Sequence, residues 1–405
     1  MKLSKYNIFY HRHNKHIVFN TFSNSIVVLT TSEIDELNNL ENLPDNSLEI
    51  YKKLGIVIDD NVDELAMMRF DNVYYAVNSD YHFRILTTTT CNAKCAYCYE
   101  QGISSTTMNN DIADKVVTFI KDIVPTEKNI HIEWFGGEPL VNAGVIVRIC
   151  KQLKALGYFF ESTMVTNGIL LNKESIDVLK KLCKLTKVQI TLDGLAEVYA
   201  TVKKVSLDCF YKVIDNIVLL ASNDITVHVR MNYSNNQEDL TSLIKYLKAN
   251  IGFNKRIFYY IYPIFDDCKS VPSVIMEKIL ELNDLLLATG LMKKGDLYKF
   301  SYRQTRCFAT SYNGYTISPD GKLYNCSHVI NERGLVGSID SFSPYNANRI
   351  RFIDQNISDQ CANCLFYPLC KGGCRAAELG DAKLNQCMIY KSCIDAVLDR
   401  LLNIK

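Results

Sequence analysis

The sequence predicts an α/β protein: a partial (β/α)6 barrel with a small α+β unit before it and a cysteine-rich region after it. Three observations predict this. From residue 84 onward, β-branched and aromatic stretches alternate six times with helical stretches, the pattern of a parallel sheet with helices outside. The short polar motifs fall at the ends of those strands. The 15 cysteines of this 405-residue chain gather mainly near residue 95 and after residue 306.

The elements follow in order. In residues 1–80, "YNIFY", "HIVFNTF" and "SIVVLT" read as short strands. "TSEIDELNNL" opens with a cap residue and an acidic first turn, which marks a helix start. "SLEIYKKLG" is a second short helix closed by glycine. Residues 81–300 carry the six units. Their strands are "RILTTTT", "NIHIEWFGG", "FFESTMVTNG", "KVQITLDG", "ITVHVRMNYS" and "RIFYYIYPIF". Each is followed by a helical stretch, from "DIADKVVTFIKDIV" to "SVIMEKILELNDLLLATG". Six units are too few for a standard eight-stranded barrel. A partial barrel is the simplest outcome, and an open doubly wound sheet is the other arrangement of the same alternation. Residues 301–405 hold the second cysteine field.

Composition narrows the class. Lys and Arg number 45 against 44 Asp and Glu, and the net charge is +1. No basic excess exists to attract nucleic acid or an anionic membrane. No apolar run approaches the roughly 18 residues that span a bilayer, and "MKLSKYNIFYHRHNKH" lacks the apolar centre of a signal peptide. A cytoplasmic location is expected, where clustered cysteines are metal ligands rather than disulfides. Cys150, Cys183, Cys209 and Cys268 stand singly and are expected to pack as small hydrophobes.

The first cysteine cluster, "CNAKCAYC", follows the first barrel strand and holds Cys91, Cys95 and Cys98. Three thiols are one short of a closed site. A [4Fe–4S] cluster takes four thiolates, so three leave one iron open to a ligand; a catalytic zinc site also keeps an open position. Tyr97 places a ring beside the loop. "GGEP", with Gly136, Gly137, Glu138 and Pro139, ends the second strand. Its glycines let backbone approach a ligand closely.

These residues resemble the radical S-adenosylmethionine (SAM) enzymes. "CNAKCAYC" is similar to that family's signature, and "GGEP" to its second motif, which binds the amino group of SAM. The resemblance implies a [4Fe–4S] cluster whose open iron chelates SAM, and a 5′-deoxyadenosyl radical that removes a hydrogen atom from a substrate. It implies that Asn167 in "TNG" and Asp193 in "TLDG" contact SAM or substrate; ordinary turn chemistry at "NG" and "DG" is the other reading of these two residues. Arg230 and Asn232 in "VRMNYS" match the strand end that faces the carboxylate and ribose. A flavodoxin- or ferredoxin-type protein is the implied electron donor.

The second field runs through Cys307, Cys326, Cys361, Cys364, Cys370, Cys374, Cys387 and Cys393. Paired zinc ribbons use similar spacings. The pattern also resembles the SPASM domain of many radical SAM enzymes, which holds two auxiliary [4Fe–4S] clusters. By that resemblance Cys361, Cys364, Cys370 and a late cysteine form one set, and Cys307, Cys326 and Cys374 the other. "NQCMIYKS" is similar to the family setting of the late ligand, which favours Cys387 over Cys393. No cysteine follows Cys307 closely, so its cluster is expected to keep an open iron suited to a substrate thiolate; His328 is the other residue placed to complete it.

Sulfatase maturases of this family place an aspartate directly after the cysteine of GxxxxC, where this chain has Ser327. "FYPLCKGGCR" and the N-terminal unit resemble maturases of ribosomally made peptides, many of which begin with a winged-helix-like domain that grips a leader peptide. The implied activity is a thioether or carbon–carbon cross-link in a precursor peptide. Formylglycine formation on a sulfatase is the alternative, and a non-catalytic iron–sulfur protein the second.

Overall fold

The structure is a computed structural model. It describes residues 1–12, 15–98, 100, 102, 104–233, 240–264, 273–301, 306–354, 357–378, 387 and 389–402. The expectation for Cys268 lies outside the described residues.

The N-terminal unit is α+β, as its composition predicts. Strands β2 (Asn7–Arg12), β3 (Lys15–Asn20) and β4 (Ser25–Leu29) form an antiparallel meander, and β1 (Lys2–Leu3) pairs with β5 (Val57–Ile58). Buried Asn20 ties the meander to both ends of the unit. Its amide nitrogen reaches Ser4, Asn7 and the Gly55 carbonyl, and its oxygen accepts from the Phe22 and Ser23 amides. Helix α1 (Thr31–Asn38) starts at Thr30, whose side chain and Glu33 close a reciprocal capping box. Helix α2 (Asp45–Lys53) follows.

Helix α3 (Glu64–Asn78) is not legible in the sequence. Its inward face holds Met68, Asn72 and Ala76, while Met67, Phe70, Val73, Tyr74 and Val77 form an exposed apolar stripe opposite. Apolar residues on both faces erase the periodicity that marks a helix. The inward face rests on the C-terminal unit. Asn72 donates to the Tyr367 hydroxyl at 2.9 Å, and Arg306 meets Asp71 at 2.6 Å. A cavity of about 490 Å³ runs between α3 and Ile350, Ile353 and Ile357.

The six expected units are all present. Strands β6 (Tyr81–Thr88), β7 (Ile130–Gly136), β8 (Phe160–Thr166), β9 (Leu185–Leu192), β10 (Thr226–Tyr233) and β11 (Ile257–Pro263) are parallel and neighbour one another in sequence order. A doubly wound sheet reverses its order at a switch point; this order never reverses, so the arrangement is the partial barrel. Helices α4 (Asn110–Ile123), α5 (Ala143–Ala155), α6 (Lys173–Lys181), α7 (Ala196–Lys203), α8 (Asp208–Ser222), α9 (Thr241–Asn250) and α10 (Ser273–Ala288) cover the outside. Helix α7 is an addition to the predicted set, inserted between β9 and α8.

Strands β7, β8 and β11 alternate between buried and accessible residues over most of their length. In β7, Ile130, Ile132 and Trp134 are buried beneath the helices, while His131, Glu133 and Phe135 remain partly accessible on the other face. In β11, Phe258, Tyr260 and Tyr262 are the accessible set. Parallel strands buried on both faces read as continuous apolar runs. Alternation here means that the inner face borders a polar lumen instead of a dry core.

The C-terminal unit continues the same sheet. Strand β12 (Gly314–Ile317) pairs in parallel with β6, and β13 (Lys322–Tyr324), β14 (Leu335–Ser338) and β15 (Ser341–Phe342) follow antiparallel. The expected boundary near residue 300 is therefore not a break in the sheet. No described helix is long and apolar enough to cross a membrane.

Gly314 opens β12 where a Cβ would collide with the Phe308 carbonyl oxygen. Phe308 stacks on His82 at 4.2 Å, so the collision would lift β12 from β6. Gly314→Ala is expected to lower unfolding stability by about 2 kcal/mol or more and to expose the C-terminal unit to protease. Gly295→Ala, in the helix Lys294–Ser301 with open space around it, should leave stability unchanged or slightly raised.

Candidate active site at the barrel mouth

The cysteine loop leaves β6 at its C-terminal end, the face where barrel enzymes build their sites. The Gly137 amide donates to the Thr88 carbonyl and the Glu138 amide to the Thr90 carbonyl, each at 3.0 Å. A Cβ on Gly137 would stand 2.6 Å from the Thr89 and Thr90 carbonyl oxygens, and one on Gly136, at φ +127°, would strike Thr88. The paired glycines thus let "GGEP" lie against the backbone just before Cys91. Their close approach is to the cysteine loop itself.

Glu138 is fully buried. Its carboxylate accepts from the Leu140 amide, the Thr166 hydroxyl and the Asn167 amide. Burial pushes its pKa up, and these donors oppose that push. In this arrangement the side chain ties the end of β7 to the end of β8, with no oxygen turned outward. Pro139 starts the short 3-10 turn after it, and its carbonyl accepts from Thr87. Asn167 remains partly accessible. Its amide nitrogen lies 2.7 Å from Asn92 Oδ1 and 3.9 Å from Cys91 Sγ, so it touches the cysteine loop directly.

A second knot holds the other side of the loop. The Tyr97 hydroxyl donates to Asp193 Oδ2 at 2.9 Å, Asn232 donates to Asp193 Oδ1 at 3.0 Å, and Lys203 Nζ stands 3.0 Å from Asp193 Oδ2. Arg230 donates through Nε to Asn232 at 2.8 Å, and its guanidinium lies over the Tyr262 ring. Asp193 and Lys203 are both buried. The sequence placed Tyr97 in the cysteine loop and Asp193, Arg230 and Asn232 at strand ends, and the structure joins them in one chain of hydrogen bonds. Lys203 escaped the sequence reading because "TVKKVS" carries no motif. Asn92 and Thr166 escaped it for the same reason.

Cys91, Cys95 and Cys98 lie within electrostatic reach of one another, and burial pushes the Cys91 and Cys98 thiols upward. Among the described residues, no three His, Cys, Asp or Glu side chains close in as around a single metal ion. A cubane sets each thiolate on its own iron, so three partly buried thiols facing one another are a donor set that such a cluster fits. Bound to iron they would be thiolates, stabilised by the metal charge that the buried thiols otherwise lack.

The second cysteine field divides in two. Cys307, Cys326 and Cys374 pack together around Ala309, Val329, Phe352 and Ala376. Burial, with the Cys307 thiol next, pushes the Cys326 thiol up to about 12. The His328 backbone amide points to Cys326 Sγ at 3.5 Å. Cys361 and Cys364 pack against Tyr6, Met68 and Tyr367. Lys391 bonds Cys364 and lies within reach of Cys370 and Cys387. Cys393 packs into the main core beside Asp395 and Arg400, and burial pushes it up to about 11. Lys391 thus links Cys387 electrostatically with Cys364 and Cys370, and Asp395 and Arg400 of the following helix act on Cys393. Cys150 and Cys183 are buried against each other in the core, as expected of small hydrophobes.

Between these regions the lumen carries one strong ion pair. Arg84 meets Glu133 at 2.6 Å and donates to the Ser327 hydroxyl at 2.7 Å, stacked between Phe135 and Phe308. Burial raises the Glu133 pKa, but the Arg84 charge and the His82 and Arg84 hydrogen bonds outweigh it and hold the carboxyl at about 2.

With this geometry in place, the likenesses to known proteins are informative. Residues 85–247 match the family model of the Radical SAM superfamily. The chain is 24% identical over 333 residues to a cysteine-type anaerobic sulfatase-maturating enzyme from Clostridium novyi, covering 71% of this chain and 86% of that one. Among solved structures, native anSMEcpe with bound AdoMet and Kp18Cys peptide superposes with a TM-score of 0.62 at 17% identity, covering 80% of this chain and 99% of that one. Streptococcus suis SuiB bound to precursor peptide SuiA superposes at 0.52 and 13% identity, covering 96% and 99%. The two structures show the shared fold.

The Arg84–Glu133 pair has a pH signature. Glu133 is depressed from 4.5 to about 2, so its contribution is full above the unfolded value and fades as pH falls toward the folded one. Glu133→Gln is expected to destabilise the protein by about 1–3 kcal/mol at pH 7. The gap to wild type should close as pH falls from about 4.5 toward 2 in urea unfolding. A gap independent of pH would show that the pair carries no such linkage.

Proposed function

We propose that this chain, a member of the radical SAM superfamily, modifies a ribosomally made precursor peptide. The observation that carries the reading is the three-thiol loop clamped to GGEP at the barrel mouth, above a polar lumen. Cys91, Cys95 and Cys98 would hold the cluster. Gly136 and Gly137 would present backbone, and Asn167 and Arg230 side chains, to the SAM amino acid and ribose. When bound, the cluster and SAM supply a one-electron cleavage that yields a 5′-deoxyadenosyl radical. The chain's own residues hold the cofactor at the mouth and the substrate in the lumen. That positioning turns an encounter into an oriented step.

A peptide substrate is supported by the peptides bound to both solved relatives, Kp18Cys and SuiA. The N-terminal unit supports it too: among the described residues no strand pairs with the outer edges of β2 and β4, and a leader could add to such an edge as a strand. Cys307, Cys326 and Cys374 would hold one auxiliary cluster, and Cys361, Cys364, Cys370 and Cys387 the other. A flavodoxin- or ferredoxin-type protein would supply electrons.

Formylglycine formation is the second reading, favoured by the likeness to the Clostridium novyi enzyme. The position after Cys326 is Ser327, whose hydroxyl is engaged by Arg84. The nearby Glu133 carboxylate, held at about 2, is a weak base at neutral pH. Cross-linking therefore ranks first. The product proposed is a thioether: the Cys307 set gathers three thiols, and a substrate thiol would be the fourth donor to an iron held there.

Anaerobically purified protein with reductant and SAM is expected to release 5′-deoxyadenosine and to hold about twelve irons. Replacing Cys91, Cys95 and Cys98 together by alanine should abolish release while about eight irons remain. Undiminished release, or stoichiometric zinc in the C-terminal field, would sink the assignment.

The thioether is tested on the product peptide. It should lose two hydrogens for each cross-link, and the linked cysteine should resist thiol alkylation. A product that has lost two hydrogens yet alkylates at every cysteine establishes a carbon–carbon bond instead.

A further inference from the structure

Lys203 has more contacts at the cysteine loop than a clamp requires. Two backbone bonds already fasten the loop to the end of α7: Lys94 N–H donates to the Lys203 carbonyl at 2.9 Å, and Ala96 N–H to the Val202 carbonyl at 3.1 Å. The chain then turns away at Lys204, in left-handed conformation at φ 54°. The Lys203 side chain folds back beneath the loop and is only 3% exposed. Its ammonium lies near Asp193, 3.2 Å from the Tyr97 hydroxyl, and over the Tyr97 and Tyr199 rings at 5.8 and 5.3 Å. It also lies within electrostatic reach of Cys95 and Cys98.

A buried ammonium costs several kcal/mol to desolvate unless it is well paired. Here its carboxylate partner is shared: Asp193 also accepts from Tyr97 and Asn232. Oδ2 of Asp193 takes both Tyr97 and Lys203, and Oδ1 takes Asn232 on β10. The α7 carbonyls that meet the loop add the partial negative charge of a helix C-terminus. Lys203 is the cation of this knot that acts on both Cys95 and Cys98.

We propose that Lys203 is a positioning residue whose fixed positive charge eases one-electron reduction of the cluster held by Cys91, Cys95 and Cys98. The inference rests on that ligand assignment. Reduction by dithionite or a low-potential flavodoxin adds one electron to the cluster, with no bond made or broken. Three thiolates already make the assembly negative, and the added electron makes it more so. A nearby cation therefore favours the reduced form. In a partly buried site such a charge shifts an equilibrium by about tenfold or more.

The test is a redox titration of the reconstituted holoprotein, followed by the electron paramagnetic resonance signal that changes when SAM is added. Lys203→Met is expected to lower the reduced-to-oxidised ratio of that signal by about tenfold at fixed potential. Lys203→Arg, which keeps the charge, should titrate like wild type. Lys203→Gln should follow the Met variant and serves if the Met variant loses iron. A full iron complement with unchanged titration in either neutral variant overturns the proposal. Loss of the SAM-responsive cluster from both neutral variants, with retention in Lys203→Arg, also overturns it, because the residue would then hold the loop rather than poise the iron. A wild-type protein with no SAM-responsive signal would instead overturn the ligand assignment beneath it.

Discussion

One buried carboxylate organises the barrel mouth. Asp193 ends β9, is fully buried, and takes donors from three places: Tyr97 in the cysteine loop, Lys203 at the end of α7 and Asn232 on β10. A buried charge must be satisfied where it stands, or its burial is strongly unfavourable. The need to satisfy this one fixes the loop against two strands and a helix at once. Glu138 does the same on the opposite flank, binding β7 to β8 through Thr166 and the Asn167 amide. The loop that carries Cys91, Cys95 and Cys98 is therefore held on both sides by hydrogen bonds rather than by apolar packing. Such a loop keeps its shape while one face stays open to a ligand.

What could be read in advance follows the same division. The six barrel units were legible because each strand and each helix repeats its own period, and because turns such as "NG" and "DG" mark strand ends. The division of the C-terminal cysteines into two sets came from a family resemblance, and the structure packs Cys307, Cys326 and Cys374 together and Cys361 beside Cys364. Helix α3 was hidden by Phe70, Val73 and Tyr74 on its outer face, which cancel the contrast between faces. Helix α7 was hidden by its short length, and Lys203 by tertiary placement alone. A lysine two residues from a valine has no local feature showing that it folds back under a distant loop. The glycines of GGEP were read as letting backbone approach a ligand, and the fold shows that the backbone they approach is that of Thr88–Thr90.

The N-terminal unit is coupled to the C-terminal field rather than set apart from it. Lys5 donates to the Ala362 carbonyl, Thr21 bonds the Leu365 carbonyl, and Tyr10 reaches Asp399. Tyr6 packs beside Cys361 and Cys364. A segment bound along that unit would start close to the second cysteine set and reach the barrel by way of the C-terminal unit. The N-terminal unit and the second cysteine set are thus neighbouring surfaces.

Strand β6 sets the separation between the chain's two cysteine regions. Its C-terminal end at Thr88 leads into the first cysteine loop, and its inward-facing Arg84 binds Ser327, next to Cys326. The four residues from Arg84 to Thr88 span about 13 Å of strand. Parallel pairing of β12 with β6, from Gly314 against His82 to Ile317 against Ile85, fixes the height of the second region relative to the first. A shift of that pairing by one residue would turn the side chains of β12 to the other face of the sheet. It would also move Ser327 from the Arg84 guanidinium and leave the Arg84–Glu133 pair without its third member. The distance across which the two regions face each other through the lumen is therefore set by backbone register. Side-chain substitutions within the lumen can alter its chemistry, while changing that distance requires breaking the sheet.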